Sequence, residues 1–498
     1  MKRFVLIACA AVLVFGTALG QTLTVGTPGE PVSLDPHGTN DQPSARVRVQ
    51  IYDQLVTQTN DLELVPGLAE SWTQVDELTW DFFIREGVTF HNGDPLTAHE
   101  VKFTFDRLRD PEVAAAGAFL VGAIDTVEVI DDMTIRITTE EPFAPLLAHL
   151  SHSVTSILNE RSVTEAGEDY GTAVAIGTGA FEFVSWETGS QLILDRNDDW
   201  WGGQAGVERI VFRPITEGTV RSIELETAGV DIAYNLEPRD VSRLEGQDRI
   251  VLHPFEELSA QYVGFNTQKE PFDDVRVRQA INYAVDMETI VDVIYEGQGT
   301  PAAGPLSPGV FASHPDLEPY GYDPERAREL LEEAGVGEGF STTLWTNDNP
   351  LRIQIAEIAQ AQLGEIGVQV EVQVLEWSTY LAETAAGNHD MFILGWGTVT
   401  ADADYGLYAL FHSSQFGSAG NRTFWAHDRV DELLDAGRRT ADADERLAIY
   451  LEAQEIIAEE APWIFVAFLV QTTGVRDHVE GYENHPNGSH RLYTVTLN

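Results

Sequence analysis

Hydrophobic and polar residues alternate with a period of two in several short stretches of the chain. Residues 78–84 (LTWDFFI) form one such stretch, and residues 133–137 (MTIRI) form another directly after the turn-forming pair Asp131-Asp132. Successive side chains of a strand point to opposite faces of its sheet, so this alternation is typical of half-buried strands. The first third of the chain is therefore predicted to be rich in strands.

From residue 275 onward the hydrophobic spacing becomes that of helices separated by short apolar runs. One helix is predicted to begin at Pro324, with Asp323 as its N-cap, and to end at Gly335. A second helix is predicted over residues 443–459, and strands are predicted over residues 368–374 (VQVEVQV) and 463–468 (WIFVAF). Helices that alternate with strands in this way indicate an α/β architecture.

The composition is that of a folded, exported protein. The chain has 498 residues, 43% of them hydrophobic and 22% charged; at ~150 residues per domain, this length suggests about three domains. Residues 1–20 combine Lys2, Arg3, an apolar stretch and a small-residue ending, which predicts a secretory signal peptide. The single cysteine, Cys9, lies in that segment, so the exported chain is predicted to lack disulfides and thiol chemistry.

The charge excludes several classes of partner. The chain carries 80 acidic against 30 basic residues, for a formal net charge of -50. Such a chain repels phosphate backbones and anionic membrane surfaces, which argues against nucleic-acid binding. No stretch after residue 20 reaches the roughly 18 apolar residues of a membrane span. We therefore expect a soluble, periplasmic or otherwise extracytoplasmic protein, and a monomer.

Five segments, in order, together resemble the family 5 solute-binding proteins of ABC importers, the peptide and nickel type. Residues 68–108 hold the stretches AESW, IREGVTFHNGD and PLTAHEV, which are similar to the family's hallmark. The other four are residues 176–186 (IGTGAFEFVSW), 263–286 (VGFNTQKEPFDDVRVRQAINYAVD), 322–335 (YDPERARELLEEAG) and 446–464 (RLAIYLEAQEIIAEEAPWI). They spread over essentially the whole chain after residue 20.

This resemblance implies an α/β fold of the type II periplasmic-binding-protein kind, with two hinged lobes and an extra domain inserted in lobe I. Lobe I is then expected at residues 21–46, 174–257 and 467–498, the inserted domain at 47–173, and lobe II at 258–466. A ligand would sit between the lobes, which close around it, and the closed form would be recognised by the ABC permease in the membrane.

The segment expected to choose the ligand is residues 395–413 (GWGTVTADADYGLYALFHS). In the family's dipeptide and oligopeptide binders, an aspartate three residues after the Gly-Trp pair holds the peptide's ammonium group. Here Gly395-Trp396 matches that pair, but Val399 stands at the position of the aspartate. Asp402 and Asp404 lie just beyond, in a stretch that resembles the glutathione- and peptide-binding members, and they are predicted to take over the ammonium. A solvated acidic loop or a helix N-cap is the alternative role for both.

Three other residues complete the predicted binding site. A free carboxylate on the ligand calls for an arginine with its two-pronged guanidinium, and Arg352 is the first candidate. Trp396 and Trp377 are candidates to stack on the ligand, although Trp377 lies in a stretch, LEWSTYL, shared by family members with different ligands.

No motif supports catalysis or a metal site. The chain has neither a GxSxG nucleophile elbow nor an HExxH zinc motif, and His485 and His490 are better explained by a terminal turn. The sequence therefore predicts a non-enzymatic binder of short peptides or glutathione that needs no cofactor and no metal. A non-peptide solute, either an oligosaccharide or a nickel complex, is the alternative within the class, and a secreted hydrolase is the alternative outside it.

Overall fold

The computed structural model describes residues 21–498, so the predicted signal peptide and Cys9 lie outside the described residues. The described chain forms an 11-stranded sheet, a four-stranded sheet and two small two-stranded sheets, with helices packed around them. Among residues 21–498, no helix combines the length and the apolar character that crossing a membrane requires.

The strands are β1 (Thr22–Thr27), β2 (Val56–Gln58), β3 (Leu64–Pro66), β4 (Ala69–Gln74), β5 (Thr79–Ile84), β6 (Ile124–Asp131), β7 (Thr134–Thr139), β8 (Phe181–Glu187), β9 (Gln191–Arg196), β10 (Arg209–Pro214), β11 (Ile232–Ala233), β12 (Ile250–Phe265), β13 (Gly299–Pro301), β14 (Phe340–Asn347), β15 (Val368–Leu375), β16 (Met391–Gly397), β17 (Trp463–Arg476), β18 (Val479–Glu480) and β19 (Thr496–Leu497).

The α-helices are α1 (Gln42–Ile51), α2 (Ala98–Arg109), α3 (Leu146–His149), α4 (Glu160–Ala166), α5 (Gly218–Glu226), α6 (Pro238–Leu244), α7 (Val275–Ala284), α8 (Met287–Ile294), α9 (Pro324–Glu333), α10 (Pro350–Glu365), α11 (Trp377–Ala385), α12 (Ala403–Phe411), α13 (Asp428–Arg439) and α14 (Ala443–Glu460).

Two long antiparallel strands, β12 and β17, run through the middle of the large sheet. The strand order is β15-β14-β16-β12-β17-β11-β1-β10-β9-β8, with β13 added to β17. The pairing of β12 with β17 is regular from Ile250 to Glu256 and resumes at Ala260 after a register shift. A second register shift follows between Gln261 and Tyr262, and both lie on the two strands that join the halves of the large sheet.

Each part of the molecule has a hydrophobic core of its own. One core surrounds the four-stranded sheet β4-β5-β7-β6 and α2, and another lies between β1, β9, β10 and the α1 region. The half that contains β14, β15 and β16 holds two further cores, one of them centred on Trp463, whose ring stacks on Tyr262 with centroids 3.5 Å apart. The predicted lobe boundaries at 257/258 and 466/467 fall beside the register shift, and they remain a prediction.

The elements read from hydrophobic spacing are confirmed. The alternating stretches at 78–84 and 133–137 are β5 and β7, and residues 368–374 form β15 at the edge of the large sheet. The side chain of Asp323 caps α9 by accepting a hydrogen bond from the backbone N–H of Arg326, and Gly335 has a φ of 81°, which favours glycine. The strand predicted at 463–468 extends further, to Arg476, because its second half also pairs with β12.

Candidate functional site

A cavity of about 1330 Å³ lies between the two halves of the molecule, beside β12 and β17, the strands that join them. Its wall is built by both halves: the β1–α1 loop and α1 on one side, and α10, α11 and the end of β16 on the other. Strand β12 contributes Glu257, Ser259 and Gln261 to the wall. The volume exceeds the 300–1,000 Å³ that is usual for drug-sized ligands, so the cavity has room for a ligand of several residues.

Four of the predicted site residues line this cavity: Arg352, Trp377, Trp396 and Val399. Arg352 stands in the first turn of α10, where its Nη1 donates to Oδ1 of Asn347 at 3.0 Å. Trp396 and Trp377 stack on Tyr405 and Tyr380, and the indole N–H of each is buried without a hydrogen-bond partner in the described chain.

Asp402 and Asp404 are not among the residues that line the cavity, and the structure gives both another role. Asp402 caps α12 by accepting a hydrogen bond from the backbone N–H of Asp404 at 2.9 Å. Its two carboxylate oxygens also accept hydrogen bonds from the guanidinium of Arg446, each at 2.6 Å. The N-cap alternative therefore describes Asp402, and its charge is already neutralised within the protein.

Asp404 is completely buried and holds two parts of the molecule together. Its Oδ1 lies 3.0 Å from Nε of Arg438, and its Oδ2 lies 2.9 Å from Nε2 of His149, which belongs to the predicted inserted domain. The other ring nitrogen of His149 is 2.8 Å from the carbonyl of Leu120, to which it can only donate. Burial alone would raise the pKa of Asp404, but Arg438 and His149 outweigh it and hold the pKa well below its usual range.

A second contact between the same two parts lies at the cavity wall. Nε2 of His152 lies 3.1 Å from the hydroxyl of Tyr405, which also bonds to Asn40 in predicted lobe I. Nδ1 of His152 accepts the backbone N–H of Val154, so Nε2 carries the proton of the neutral ring. Burial, with smaller contributions from Arg48 and His149, lowers the pKa of His152 to about 3.

The acidic residues of the wall are mostly engaged by the protein itself. Glu237 pairs with Arg239 at 2.7 Å. Glu30 accepts hydrogen bonds from a tryptophan and from a loop backbone N–H. Asp41 and Glu376 each accept a backbone N–H at the N-terminus of a helix. Two acids of the wall differ: Asp348 is exposed and has no hydrogen bond or ion pair with residues 21–498, and Glu257 accepts from Ser259 and Gln471 through Oε2 while its Oε1 has no donor among those residues. Glu257 is half-buried and stands beside the register shift between the two halves.

The arginines of the wall also divide into engaged and free side chains. Arg221 donates to three backbone carbonyls, and Arg491 donates to Gln54 and Thr57. Arg422 was not predicted, and it is buried beside the cavity with a single side-chain hydrogen bond, from its Nε to Oγ1 of Thr384 at 3.2 Å. Neither Glu257 nor Arg422 lies in a recognisable motif, so sequence alone offered no signal for them.

No metal centre emerges from residues 21–498: no three histidines or acids there are grouped to hold an ion. His485 and His490 form a turn in which Nδ1 of His490 accepts the backbone N–H of His485. This turn is the arrangement predicted for the pair.

Comparisons with known proteins agree on one class. The family model described as "Bacterial extracellular solute-binding proteins, family 5 Middle" matches residues 63–418. The glutathione-binding protein GsiB of Pectobacterium atrosepticum is 32% identical over 90% of this chain and 87% of its own length, and the dipeptide-binding protein of Escherichia coli K12 is 30% identical over 99% and 97%. The structure of the periplasmic binding protein DppA from Helicobacter pylori, in complex with the peptide STSA, superposes with a TM-score of 0.91 at 32% identity, covering 96% of this chain and 98% of that one. The predicted two-lobe α/β fold is thereby confirmed.

Replacing the buried carboxylate tests the role of Asp404. Asp404→Asn removes the charge that neutralises Arg438, and leaving a buried cation unpaired costs about 3 kcal/mol. We expect the free energy of unfolding at pH 7, measured by urea titration, to fall by that amount. Asp61→Asn, at an exposed turn, is the control and should change it by less than about 0.5 kcal/mol. A stable Asp404→Asn protein would contradict the structural role.

Acid should destabilise the structure, in part through His152. Its pKa is lowered to about 3 in the folded protein, against 6.5 for an ordinary histidine, so the unfolded chain binds the extra proton first as the pH falls below 6.5. Each such histidine removes about 1.4 kcal/mol of stability per pH unit in that range. His152→Gln should therefore lose about 2 kcal/mol less than the parent protein between pH 6.5 and 5. Equal losses in the two proteins would show that His152 is not the titrating group.

Proposed function

The chain belongs to the bacterial extracellular solute-binding proteins of family 5, and on that premise we propose that it captures short peptides or glutathione between its two lobes and delivers them to an ABC permease. The observation that carries the proposal is the cavity between the halves, with Arg352 and Glu257 in its wall. Arg352 supplies a guanidinium without an ion pair, and Glu257 supplies a carboxylate oxygen that accepts no hydrogen bond from the described residues. A peptide with free termini carries the complementary pair of charges.

In this proposal the ligand's ammonium group is bound by a residue other than the predicted Asp402 and Asp404. Asp402 and Asp404 are neutralised by Arg446 and by Arg438 with His149, so neither has a charge left for a ligand. Glu257 has one carboxylate oxygen without a protein donor, and we assign the ligand's ammonium to it. A charge-assisted hydrogen bond of this kind is roughly twice as strong as a neutral one.

Arg352 is assigned the C-terminal carboxylate of the ligand. Its guanidinium is held in place by Asn347 and approached by Gln261 at 3.5 Å, and neither of these neutral groups cancels its charge. Trp377 and Trp396 offer apolar ring surface to the peptide between its termini. Val399, where the family's dipeptide binders have an aspartate, contributes only apolar wall.

The proposal includes location and mode of action. Export through residues 1–20 would place the protein outside the cytoplasm, where it meets its ligand before a permease does. Closure of the lobes would bury the ligand and present one surface to the membrane complex. The protein would bind and release its ligand without chemical change.

A ligand panel tests the proposed function. Native mass spectrometry of the purified protein should detect bound peptide, and urea titration with free-amine peptides of two to five residues or with glutathione should show stabilisation. At a ligand concentration of 100 times Kd the free energy of unfolding rises by about 2.7 kcal/mol. Stabilisation by cello- or xylo-oligosaccharides or by nickel-histidine alone would reject peptides as the ligand. Turnover of a peptide or glycoside would indicate a hydrolase.

A crossed experiment tests the two assigned residues. Arg352→Gln should weaken binding of a free-carboxylate peptide about 10- to 100-fold, and it should leave the C-amidated form of the same peptide nearly unaffected. Glu257→Gln should weaken the free-amine peptide similarly and spare its N-acetylated form. Isothermal titration calorimetry measures all combinations. Asp402→Asn is the control, because any loss it causes should be the same for all forms, and a terminus-specific loss there would restore Asp402 as the anchor.

A further inference from the structure

Arg422 places a charged guanidinium group at the cavity. The contacts proposed for the two termini of the ligand do not involve this group. Its side chain is only 8% exposed, and its Nε is fixed by Oγ1 of Thr384 on α11. Its backbone carbonyl accepts a hydrogen bond from His389 at 3.0 Å, which anchors the residue to the same half of the molecule. The two terminal nitrogens of the guanidinium have no hydrogen bond to the described protein, and they are not sealed from solvent.

No acid neutralises this guanidinium within residues 21–498. Its titratable neighbours are the hydroxyl groups of Tyr262 and Tyr380, which raise the pKa of Arg422. Burial has the larger effect and lowers that pKa. Taking an unpaired cation out of water is unfavourable, and the chain has 80 acidic residues from which a partner could have come. The position therefore favours a partner that arrives from the cavity.

Arg422 and Arg352 lie on the same wall. Both guanidinium groups act on Tyr262 and on Tyr380, lowering hydroxyl pKa values that burial raises. Arg352 also has no carboxylate partner in the described chain, since its contacts are the amide oxygens of Asn347 and Gln261. Two guanidinium groups therefore share the same neighbours, and neither has an ion pair within residues 21–498, although the exposed Asp348 lies in the same wall.

We propose that Arg422 binds a second carboxylate of the ligand, so that the site selects peptides that carry an acidic group in addition to their C-terminal carboxylate. This inference rests on the proposed function, and it narrows the ligand to acidic peptides. A guanidinium suits a carboxylate because its N–H groups donate in a planar fork. Four of the five N–H groups of Arg422 remain available for such a contact.

Matched peptide pairs test this selection. Isothermal titration calorimetry compares Ala-Glu with Ala-Gln, Glu-Ala with Gln-Ala, and the corresponding tripeptides, so that each pair differs only in one side-chain carboxylate. At least one acidic peptide should bind about 10-fold more tightly than its amide partner, as expected for one added charge-assisted contact. The pair with the largest difference identifies the position in the ligand that Arg422 faces.

Arg422→Gln should abolish that preference while changing the affinity for the neutral peptide less than about threefold, and Arg422→Lys should retain part of it. Arg429→Gln, at an exposed arginine of α13 paired with Glu452, is the control and should keep the full preference. The neutral peptide also reports whether the variant is folded. Equal binding of both members of every pair by the parent protein would overturn this inference alone, as would an equal loss for both members in Arg422→Gln. Binding of no peptide at all would overturn the proposed function together with it.

Discussion

A charged side chain that leaves water requires an opposite charge, and this constraint separates the scaffold of the molecule from its binding site. Asp404 has no exposure at all, yet it is compatible with folding because Arg438 and His149 contact it from two sides. Arg446 neutralises Asp402 in the same way at the start of α12. Charges that are paired within the protein stabilise the scaffold, and charges at the cavity without such a partner are the candidates for ligand contacts.

The same contacts couple the cavity to the arrangement of the lobes. His149 and His152 belong to the predicted inserted domain, while their partners Asp404 and Tyr405 belong to predicted lobe II. The backbone N–H of Ala144 donates to the carbonyl of Arg438 across the same boundary, at 2.8 Å. A movement that separated these two parts of the chain would break these contacts and expose Asp404 to water.

Hydrophobic periodicity was sufficient to predict much of the fold, because the spacing of hydrophobic residues over a short stretch shows which face of a strand or helix is buried. Trp396, Trp377 and Val399, which were predicted from the family's pattern, line the cavity, and so does Arg352, which was predicted because a ligand carboxylate calls for an arginine. The aspartates could not be assigned from spacing alone. Arg446 follows its partner Asp402 by 44 positions, Arg438 follows Asp404 by 34, and His149 precedes Asp404 by 255, so only the folded chain reveals that the carboxylates are already paired. Arg422 was missed for the converse reason, because the absence of a partner is a property of the fold that no local motif encodes.

Val399 and Arg422 change the charge of the cavity in the same direction. An apolar residue at the position of the family's aspartate removes one negative charge from the wall, and an unpaired arginine adds one positive charge. Glu257 partly offsets the charge of Arg46, and Asp348 stands exposed in the same wall. The wall therefore holds two arginines without an ion pair in residues 21–498, Arg352 and Arg422, together with two acids without one, Glu257 and Asp348. In a chain with a net charge of -50, a wall of five arginines and six acids is close to neutral, so it repels an anionic ligand less than the rest of the surface does. An acidic peptide bound at Arg422 would use a cation that a neutral peptide leaves without a partner.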